Sequence, residues 1–222
     1  MSHNHEYRPL FFLTDRLQFP SVENANSEGL LAVGGDLSPE RLMLAYKNGI
    51  FPWFDSESPI MWWSPDPRMV LFPHQIKISK SMWKVLKNGR FRLTRNTCFE
   101  AVIERCSRIK RTGQKGTWIT PGMREAYIEL HRKGHAKSYE VWEGNRLVGG
   151  LYGIDLGHVF CGESMFSEVS NASKFAFIKL AQELESQNYA LIDCQVYTRH
   201  LASLGAEEIS RKEFVALLRK QR

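Results

Sequence analysis

Three strand-like segments follow one another in the second half of the chain, and they constrain the fold more than any other feature. Their sequences are SYEVWE, RLVGGLYGID and HVFCGESMF, and they are separated by Gly144-Asn145 and by Leu156-Gly157. Short links of this kind join antiparallel neighbours, because a parallel crossover needs a dozen or more residues. The sequence therefore predicts a three-stranded antiparallel meander.

Amphipathic helical patterns precede this meander, and the last of them starts at Thr120-Pro121. After the meander, a helix is predicted from about residue 172 to residue 186. It is followed by a further strand, YALIDCQVY, and by a helix that the capping box Ser210-x-x-Glu213 opens. Helices grouped around a mainly antiparallel sheet predict the α+β fold class.

The first third of the chain is different, because short elements and loops surround one clear helix. Ser38-Pro39 suits the start of that helix and Gly49 suits its end. Aromatic residues crowd residues 29–68 among glycines and prolines, which is typical either of a recognition surface on loops or of a small aromatic core. We predict two domains, a small aromatic and loop-rich domain at residues 1–70 and a sheet domain at residues 71–222.

Positive charge is concentrated in one block of the chain. The formal net charge is +6, yet residues 77–115 hold twelve basic residues against only Glu100 and Glu104. Such a block favours a nucleic-acid partner, because Lys and Arg neutralise phosphates with release of counterions. A solvated, lysine-rich face is the alternative. The twelve residues are Lys77, Lys80, Lys84, Lys87, Arg90, Arg92, Arg95, Arg105, Arg108, Lys110, Arg111 and Lys115.

Several classes of protein are disfavoured by what the sequence contains. The four cysteines form no CxxC pair, and the histidines show no HExxH spacing, so neither a metal site nor a disulfide framework is indicated. No apolar run approaches the roughly 18 residues that a membrane-spanning helix needs. The N-terminus resembles no secretory signal, so we expect a cytoplasmic protein with no membrane association.

Polar side chains on two predicted strands are the candidates for chemistry. In YALIDCQVY, Asp193 and Gln195 share one face because side chains alternate along a strand. In HVFCGESMF, Glu163 stands among apolar neighbours, and such an acid is costly to bury without partners. A structural hydrogen bond or a strand-end turn is the alternative for each residue. Cys194 as a nucleophile is disfavoured, because no sequence signature supplies the base that a thiol needs.

Eight motifs in one order connect these features to a known family. They are GGDLSPERL, GIFPWF, WWSPDPR, TWIT, FCGESMFS, NASK, LIDCQV and ASLGA. In this order the chain resembles the leucyl/phenylalanyl-tRNA–protein transferases over residues 19–218. The resemblance implies a cytoplasmic bacterial enzyme that moves leucine or phenylalanine, and methionine less well, from tRNA onto proteins with an N-terminal arginine or lysine. It also implies N-end rule degradation of those proteins, a GCN5-related acetyltransferase-like fold for the C-terminal domain, and no metal or organic cofactor.

The resemblance also implies roles for individual positions. Asp193 and Gln195 match a pair linked to the attacking amine, and Glu163 matches an acid at the aminoacyl end. The aminoacyl-adenosine site is expected to include Tyr46, Trp53, Trp118 and Tyr127, and the wall of the side-chain pocket Met165 and Phe166. Of the twelve basic residues, all except Lys87 and Arg95 are expected to contact the acceptor arm of tRNA, and a monomer is expected.

The predicted chemistry is positioning, because the ester of aminoacyl-tRNA is already activated. We expect Asp193 to orient the acceptor amine and help its proton leave, with Gln195 fixing the geometry. One alternative is an acetyltransferase that uses coenzyme A, but no glycine for a phosphate-binding loop occurs between Gly162 and Gly205. A second alternative is a non-catalytic RNA-binding module, in which the three polar residues would have no chemical role.

Overall fold

The computed structural model describes residues 10–109 and 118–220. Its first part is a four-stranded sheet with strand order β1-β2-β4-β3. Helix α1 crosses from β2 to β3 and buries Leu42, Ala45 and Tyr46. These elements are β1 (Phe11–Leu13), β2 (Leu30–Gly34), α1 (Pro39–Lys47), β3 (Phe51–Pro52) and β4 (Met61–Trp63).

The ends of α1 form as the sequence predicts. The Ser38 side chain accepts a hydrogen bond from the backbone N–H of Arg41, and Pro39 occupies the first turn. Gly49 follows the helix with φ of 76°, a left-handed conformation that glycine adopts without steric cost. This turn brings β3, and with it the aromatic residues of the first sheet, back toward the second sheet.

The second part is a seven-stranded sheet with strand order β11-β5-β10-β9-β8-β7-β6. The central β7-β8-β9 unit is antiparallel, which confirms the predicted meander. β10 runs parallel to β9 and antiparallel to β5. The strands are β5 (Arg68–Leu71), β6 (Arg92–Arg95), β7 (Ala136–Glu143), β8 (Arg146–Asp155), β9 (Val159–Ser167), β10 (Leu191–Gln195) and β11 (Glu207–Ile209).

Helices cover both faces of this sheet, and a hydrophobic core lies on each side. One core contains side chains from α1, α3, α4 and α7, and the other contains side chains from α2, α5 and α6. The predicted α+β class with a mainly antiparallel sheet flanked by helices is therefore confirmed. The helices are α2 (Lys80–Lys87), α3 (Phe99–Ser107), α4 (Pro121–Arg132), α5 (Ala172–Ser186), α6 (Arg199–Ser203) and α7 (Arg211–Arg219).

The chain changes from the first sheet to the second between Trp63 and Arg68. One of the two cores includes Trp62 and Phe51 from the first part together with Tyr152 and Phe214 from the second. The two parts therefore share packed side chains, and the division into residues 1–70 and 71–222 stays a prediction.

An opening between β9 and β10 positions the site. The two strands pair only where residues 191–193 of β10 lie beside residues 159–161 of β9. Beyond Asp193 the register of β10 against β5 shifts, and Gln195 adopts a φ of 66°. β9 continues along β8 as far as Ser167, so the two strands part and leave space between them.

Candidate functional site

A cavity of about 550 Å³ occupies the opening between β9 and β10. Residues 162–165 of β9 form one side, and residues 194–198 at the end of β10 form the other. Phe51 and Trp53, from the first part of the chain, also line it. The cavity therefore combines polar, aromatic and apolar walls, and both strands that carry the predicted catalytic residues border it.

Glu163 is the centre of the polar wall. Its Oε1 accepts hydrogen bonds from the Tyr46 hydroxyl at 2.8 Å and from Gln195 Nε2 at 2.9 Å, and its Oε2 accepts one from the Tyr127 hydroxyl at 3.0 Å. The two tyrosine hydroxyls also contact each other. Glu163 is only 9% exposed, so neutral donors on both oxygens replace most of its water. The convergence of polar groups from neighbouring strands is thus present for Glu163 and Gln195.

The surroundings of Glu163 change its proton affinity. Burial raises the pKa of this carboxyl to about 7, against the opposing effect of the hydrogen bonds from Tyr46 and Tyr127. Burial likewise raises the pKa of both tyrosine hydroxyls well above the usual range, so both stay protonated and act as donors. Glu163 can therefore exchange a proton near neutral pH, which is a property of acid–base groups in active sites.

Asp193 does not line the cavity, whereas its neighbours on β10, Ile192 and Cys194, do. Its two oxygens accept hydrogen bonds from Arg68 Nε at 2.8 Å and Nη2 at 2.7 Å, and both side chains are 1% exposed. The backbone N–H of Gln195 donates to the same carboxylate at 3.0 Å. A buried guanidinium already binds the carboxylate of Asp193, and the expected contact of Asp193 with the acceptor amine stays a prediction.

The four predicted aromatic residues divide into two pairs. Trp53 and Trp118 line the cavity, and Trp53 is 39% exposed with its ring edge-on to Trp63 at 5.8 Å. Tyr46 and Tyr127 are buried behind Glu163 and contact the cavity only through it. The tryptophans therefore border the space open to a ligand, and the tyrosines hold the acid.

The apolar wall contains more residues than the sequence predicted. Met165 lines it as expected, whereas Phe166 lies in the core on the opposite face, 5.7 Å below the Arg105 guanidinium. This difference follows from the alternation of neighbouring side chains along β9. Phe177 and Leu180 of α5 also line this wall, although they lie at the buried positions of an amphipathic helix, which usually pack in a core. The apolar lining residues include Leu151, Met165, Phe177, Leu180, Ile192, Cys194, Val196 and Leu201.

Cys194 borders the cavity but is unsuited to attack a substrate. Burial raises the pKa of its thiol far above the ordinary value, and the nearby Asp193 charge adds to that effect. A thiolate is the nucleophilic form, so this environment opposes nucleophilic catalysis.

The basic block is only partly free in three dimensions. Arg90 pairs with Glu143 at 2.6 Å, Arg108 pairs with Glu104 at 2.6 Å, and Arg105 pairs with Glu168. Within the described residues, no ion pair is found for the exposed Lys77, Lys80 and Lys84, and Arg92 stacks over Trp142 at 5.6 Å. Lys110, Arg111 and Lys115 lie outside the described residues.

The described residues contain neither a metal-binding cluster nor a membrane-spanning helix. Across 10–109 and 118–220, no group of three or more His, Cys, Asp or Glu side chains is arranged to hold a metal ion. No helix in this part of the chain is both long enough and apolar enough to cross a membrane.

Comparison with known sequences decides the family. The sequence model described as leucyl/phenylalanyl-tRNA protein transferase matches residues 70–219, and the model of that family's N-terminal domain matches residues 35–66. The chain belongs to this family. The leucyl/phenylalanyl-tRNA protein transferase resemblance predicted from the eight motifs is thereby confirmed.

Curated relatives in this transferase family match nearly the whole chain. A leucyl/phenylalanyl-tRNA–protein transferase of Flavobacterium johnsoniae is 61% identical over 96% of this chain and all of its own length. One of Christiangramia forsetii is 59% identical over 94% of this chain and all of its own length. Among solved structures, a GCN5-related N-acetyltransferase from Kribbella flavida has a TM-score of 0.36 and 9% identity over 76% of this chain and 60% of its own.

Proposed function

We propose that the protein transfers leucine or phenylalanine, and methionine less well, from aminoacyl-tRNA to the N-terminal arginine or lysine of acceptor proteins. The observation that carries this proposal is the single cavity in which an apolar chamber, two tryptophan faces and the Glu163–Gln195 pair meet. An aminoacyl-adenosine has the same three parts, namely an apolar side chain, a nucleobase and a reactive ester. By family resemblance, the modified proteins would enter N-end rule degradation in the cytoplasm.

The apolar chamber suits the side chain of the donor amino acid. Phe177, Leu180 and Ile192 offer carbon surface, and burial of apolar surface contributes about 25 cal/mol per Å². Selection among similar side chains is limited, because one methylene changes binding by only about 1–3 kcal/mol. This limit supports acceptance of leucine, phenylalanine and methionine by one chamber.

The tryptophan faces suit the terminal adenine of tRNA. Trp53 and Trp118 border the cavity from segments far apart in sequence, and neither side chain is fully buried. Stacking of a base on an aromatic side chain is worth about 1–3 kcal/mol and does not require base-specific hydrogen bonds.

The Glu163–Gln195 pair suits the reacting end. The acceptor α-amine attacks the ester carbonyl carbon, the new C–N bond forms, and the bond from that carbon to the ribose oxygen breaks. Glu163 takes the amine proton and delivers it to the departing ribose oxygen, which leaves as a hydroxyl, while Gln195 and the tyrosines keep the carboxyl of Glu163 in place. An α-amine has a pKa near 7.7–8.0, so a fraction of it is neutral at physiological pH.

The tRNA body would contact the exposed basic residues. Lys80 and Lys84 of α2 lie one helical turn apart, and Trp83 between them is 45% exposed. Arginines that are already paired with glutamates attract phosphates less strongly. Contacts of this kind supply affinity that weakens steeply with salt.

Transfer of radiolabelled leucine from Leu-tRNA to a peptide tests the proposal. We expect label on a peptide that begins with arginine and none on the same peptide beginning with glycine. The control variant is Glu140→Gln. Glu140 is fully buried and lies outside the cavity, and its carboxylate accepts hydrogen bonds from Thr94, Thr97 and Ser138. Absence of label on both peptides, from folded protein that binds Leu-tRNA, would reject transfer and leave a binding function.

A further inference from the structure

Arg68 is a buried cation with no role in the transfer chemistry proposed above. Its guanidinium lies between two aromatic rings, 4.7 Å from the centre of Phe51 and 4.6 Å from the centre of Phe214. Its Nη1 donates to the backbone carbonyl of Gly49 at 3.2 Å. The position of the guanidinium is therefore fixed by three separate segments, namely the turn before β3, β3 itself and α7.

The fixed guanidinium in turn fixes Asp193. Both carboxylate oxygens of Asp193 accept from Arg68, in the two-pronged geometry that only a planar guanidinium provides. The Oδ1 atom is shared, because it also accepts the backbone N–H of Gln195 at 3.0 Å. The position of the Gln195 backbone thus depends on the position of Asp193.

Gln195 needs this support because its backbone is unusual. A φ of 66° is rare for a residue with a side chain, and it persists only where the surroundings hold it. The register shift against β5 occurs at the same place. This backbone conformation directs the side-chain amide to Glu163 Oε1 at 2.9 Å.

We infer that Arg68 is a positioning residue for the transfer reaction, which acts by holding Asp193 and, through it, the left-handed turn that directs Gln195 onto Glu163. This inference rests on the proposed function. Arg68 and Asp193 do not touch the cavity, so neither contacts a substrate. Their effect reaches the reacting atoms only through the orientation of Gln195.

A purely structural role for the same ion pair gives different expectations. A structural pair changes the fraction of folded protein, and folded molecules would keep their full rate. A positioning residue changes the rate of folded molecules, since a misplacement of about 1 Å at a reacting group costs about 10²-fold in rate. The two roles therefore differ in the rate constant per folded molecule.

The test compares Arg68→Lys with Arg41→Lys. Arg41 is also a buried arginine paired with an aspartate, Asp36, but it lies at α1 and away from the cavity. We expect Arg68→Lys to lower kcat per folded molecule by roughly 10²-fold with little change in the KM for Leu-tRNA. Arg41→Lys should lower the Tm and leave kcat per folded molecule unchanged. Equal kcat in wild type and Arg68→Lys would overturn the inference.

A double variant shows whether the effect passes through Gln195. If it does, Arg68→Lys added to Gln195→Ala costs no further rate, because the group that it positions is already gone. Multiplied losses would contradict this route. Where Arg68→Lys folds poorly, Phe214→Leu is the milder substitute, since it loosens one ring against the guanidinium and leaves the ion pair.

An activity-free measurement separates failure of this inference from failure of the proposed function. The side-chain amide of Gln195, assigned in an NMR spectrum by its loss in Gln195→Ala, should shift in Arg68→Lys and stay in place in Arg41→Lys. An unchanged signal in both variants would reject the positioning role whether or not wild type transfers leucine. A shifted signal with no transfer by wild type would reject the proposed function alone.

Discussion

Two buried carboxylates on neighbouring strands, Glu163 on β9 and Asp193 on β10, have different partners. Glu163 borders the cavity and accepts hydrogen bonds only from neutral groups of Tyr46, Tyr127 and Gln195. Asp193 does not line the cavity, and it binds the guanidinium of Arg68. An acid among neutral donors retains a proton near neutral pH, whereas an acid against a fixed cation serves as an anchor. The different surroundings thus suit Glu163 to proton transfer and Asp193 to holding neighbouring groups in position.

The largest effect that we expect is on the transfer rate, and it comes from changing Glu163. Glu163→Gln keeps an oxygen for the tyrosine hydrogen bonds but removes the group that carries the proton, so we expect the single-turnover rate constant of leucine transfer to fall by about 10²–10⁴-fold. Glu140→Gln, which changes a buried carboxylate elsewhere, should stay within about twofold of wild type. Similar rates in wild type and Glu163→Gln would remove Glu163 from the chemistry.

The free energy of unfolding should depend more on Asp193 than on Glu163. Asp193→Ala leaves the Arg68 guanidinium buried without its partner, and we expect urea denaturation to show a loss of about 3–5 kcal/mol in the free energy of unfolding. Glu163→Gln leaves no uncompensated charge, so its loss should be smaller. If Glu163→Gln were the more destabilising of the two, the assignment of Asp193 as the anchor would be wrong.

The pH dependence of stability isolates the contribution of Glu163. Burial raises the pKa of this carboxyl from 4.5 to about 7, so the folded protein keeps a proton there that the unfolded chain releases. The resulting stabilisation is fully present below pH 4.5 and is lost as the pH rises to about 7, which amounts to about 3 kcal/mol. Denaturation curves over this range should show that fall in wild type relative to Glu163→Gln. Parallel curves for the two proteins would contradict the raised pKa.

The smallest expected effect comes from one hydrogen bond to Glu163. Tyr127→Phe removes a donor that stabilises the ionised form, so the pKa of Glu163 should rise further and transfer near pH 7 should fall by about three- to tenfold. The control is Tyr189→Phe, because Tyr189 makes a similar 2.7 Å bond to Asp155 away from the cavity. Equal losses in both variants would indicate a general effect of removing a tyrosine hydroxyl.

Much of the fold was predictable because its signals are local. The side chains of Ser38 and Ser210 cap their helices as the sequence indicates, and the glycine-containing turns give the meander its order. Glu163 and Gln195 also stand out as polar residues in otherwise apolar strand patterns, although their hydrogen bond depends on the left-handed backbone of Gln195. Such features depend on spacing within one element or between neighbouring elements.

The remaining features depend on contacts between distant residues. Arg68 and Asp193 are 125 positions apart, and no periodicity connects them. Phe177 and Leu180 follow the pattern of a core-facing helix, and that pattern does not distinguish a packed core from the wall of a cavity. Part of the basic block is neutralised by acids outside it, such as Glu143 and Glu168, which a count along the chain cannot show.

We propose that Glu163 handles the proton during transfer, and the pH dependence of the single-turnover rate constant measures that role. Acceptor peptide is supplied at a constant concentration of its neutral amine, so that titration of the amine does not contribute. We expect a wild-type rate constant that rises with pH around a midpoint of about 7, and a Glu163→Gln rate constant that is low and independent of pH. A wild-type rate constant independent of pH, or the same midpoint in Glu163→Gln, would contradict it.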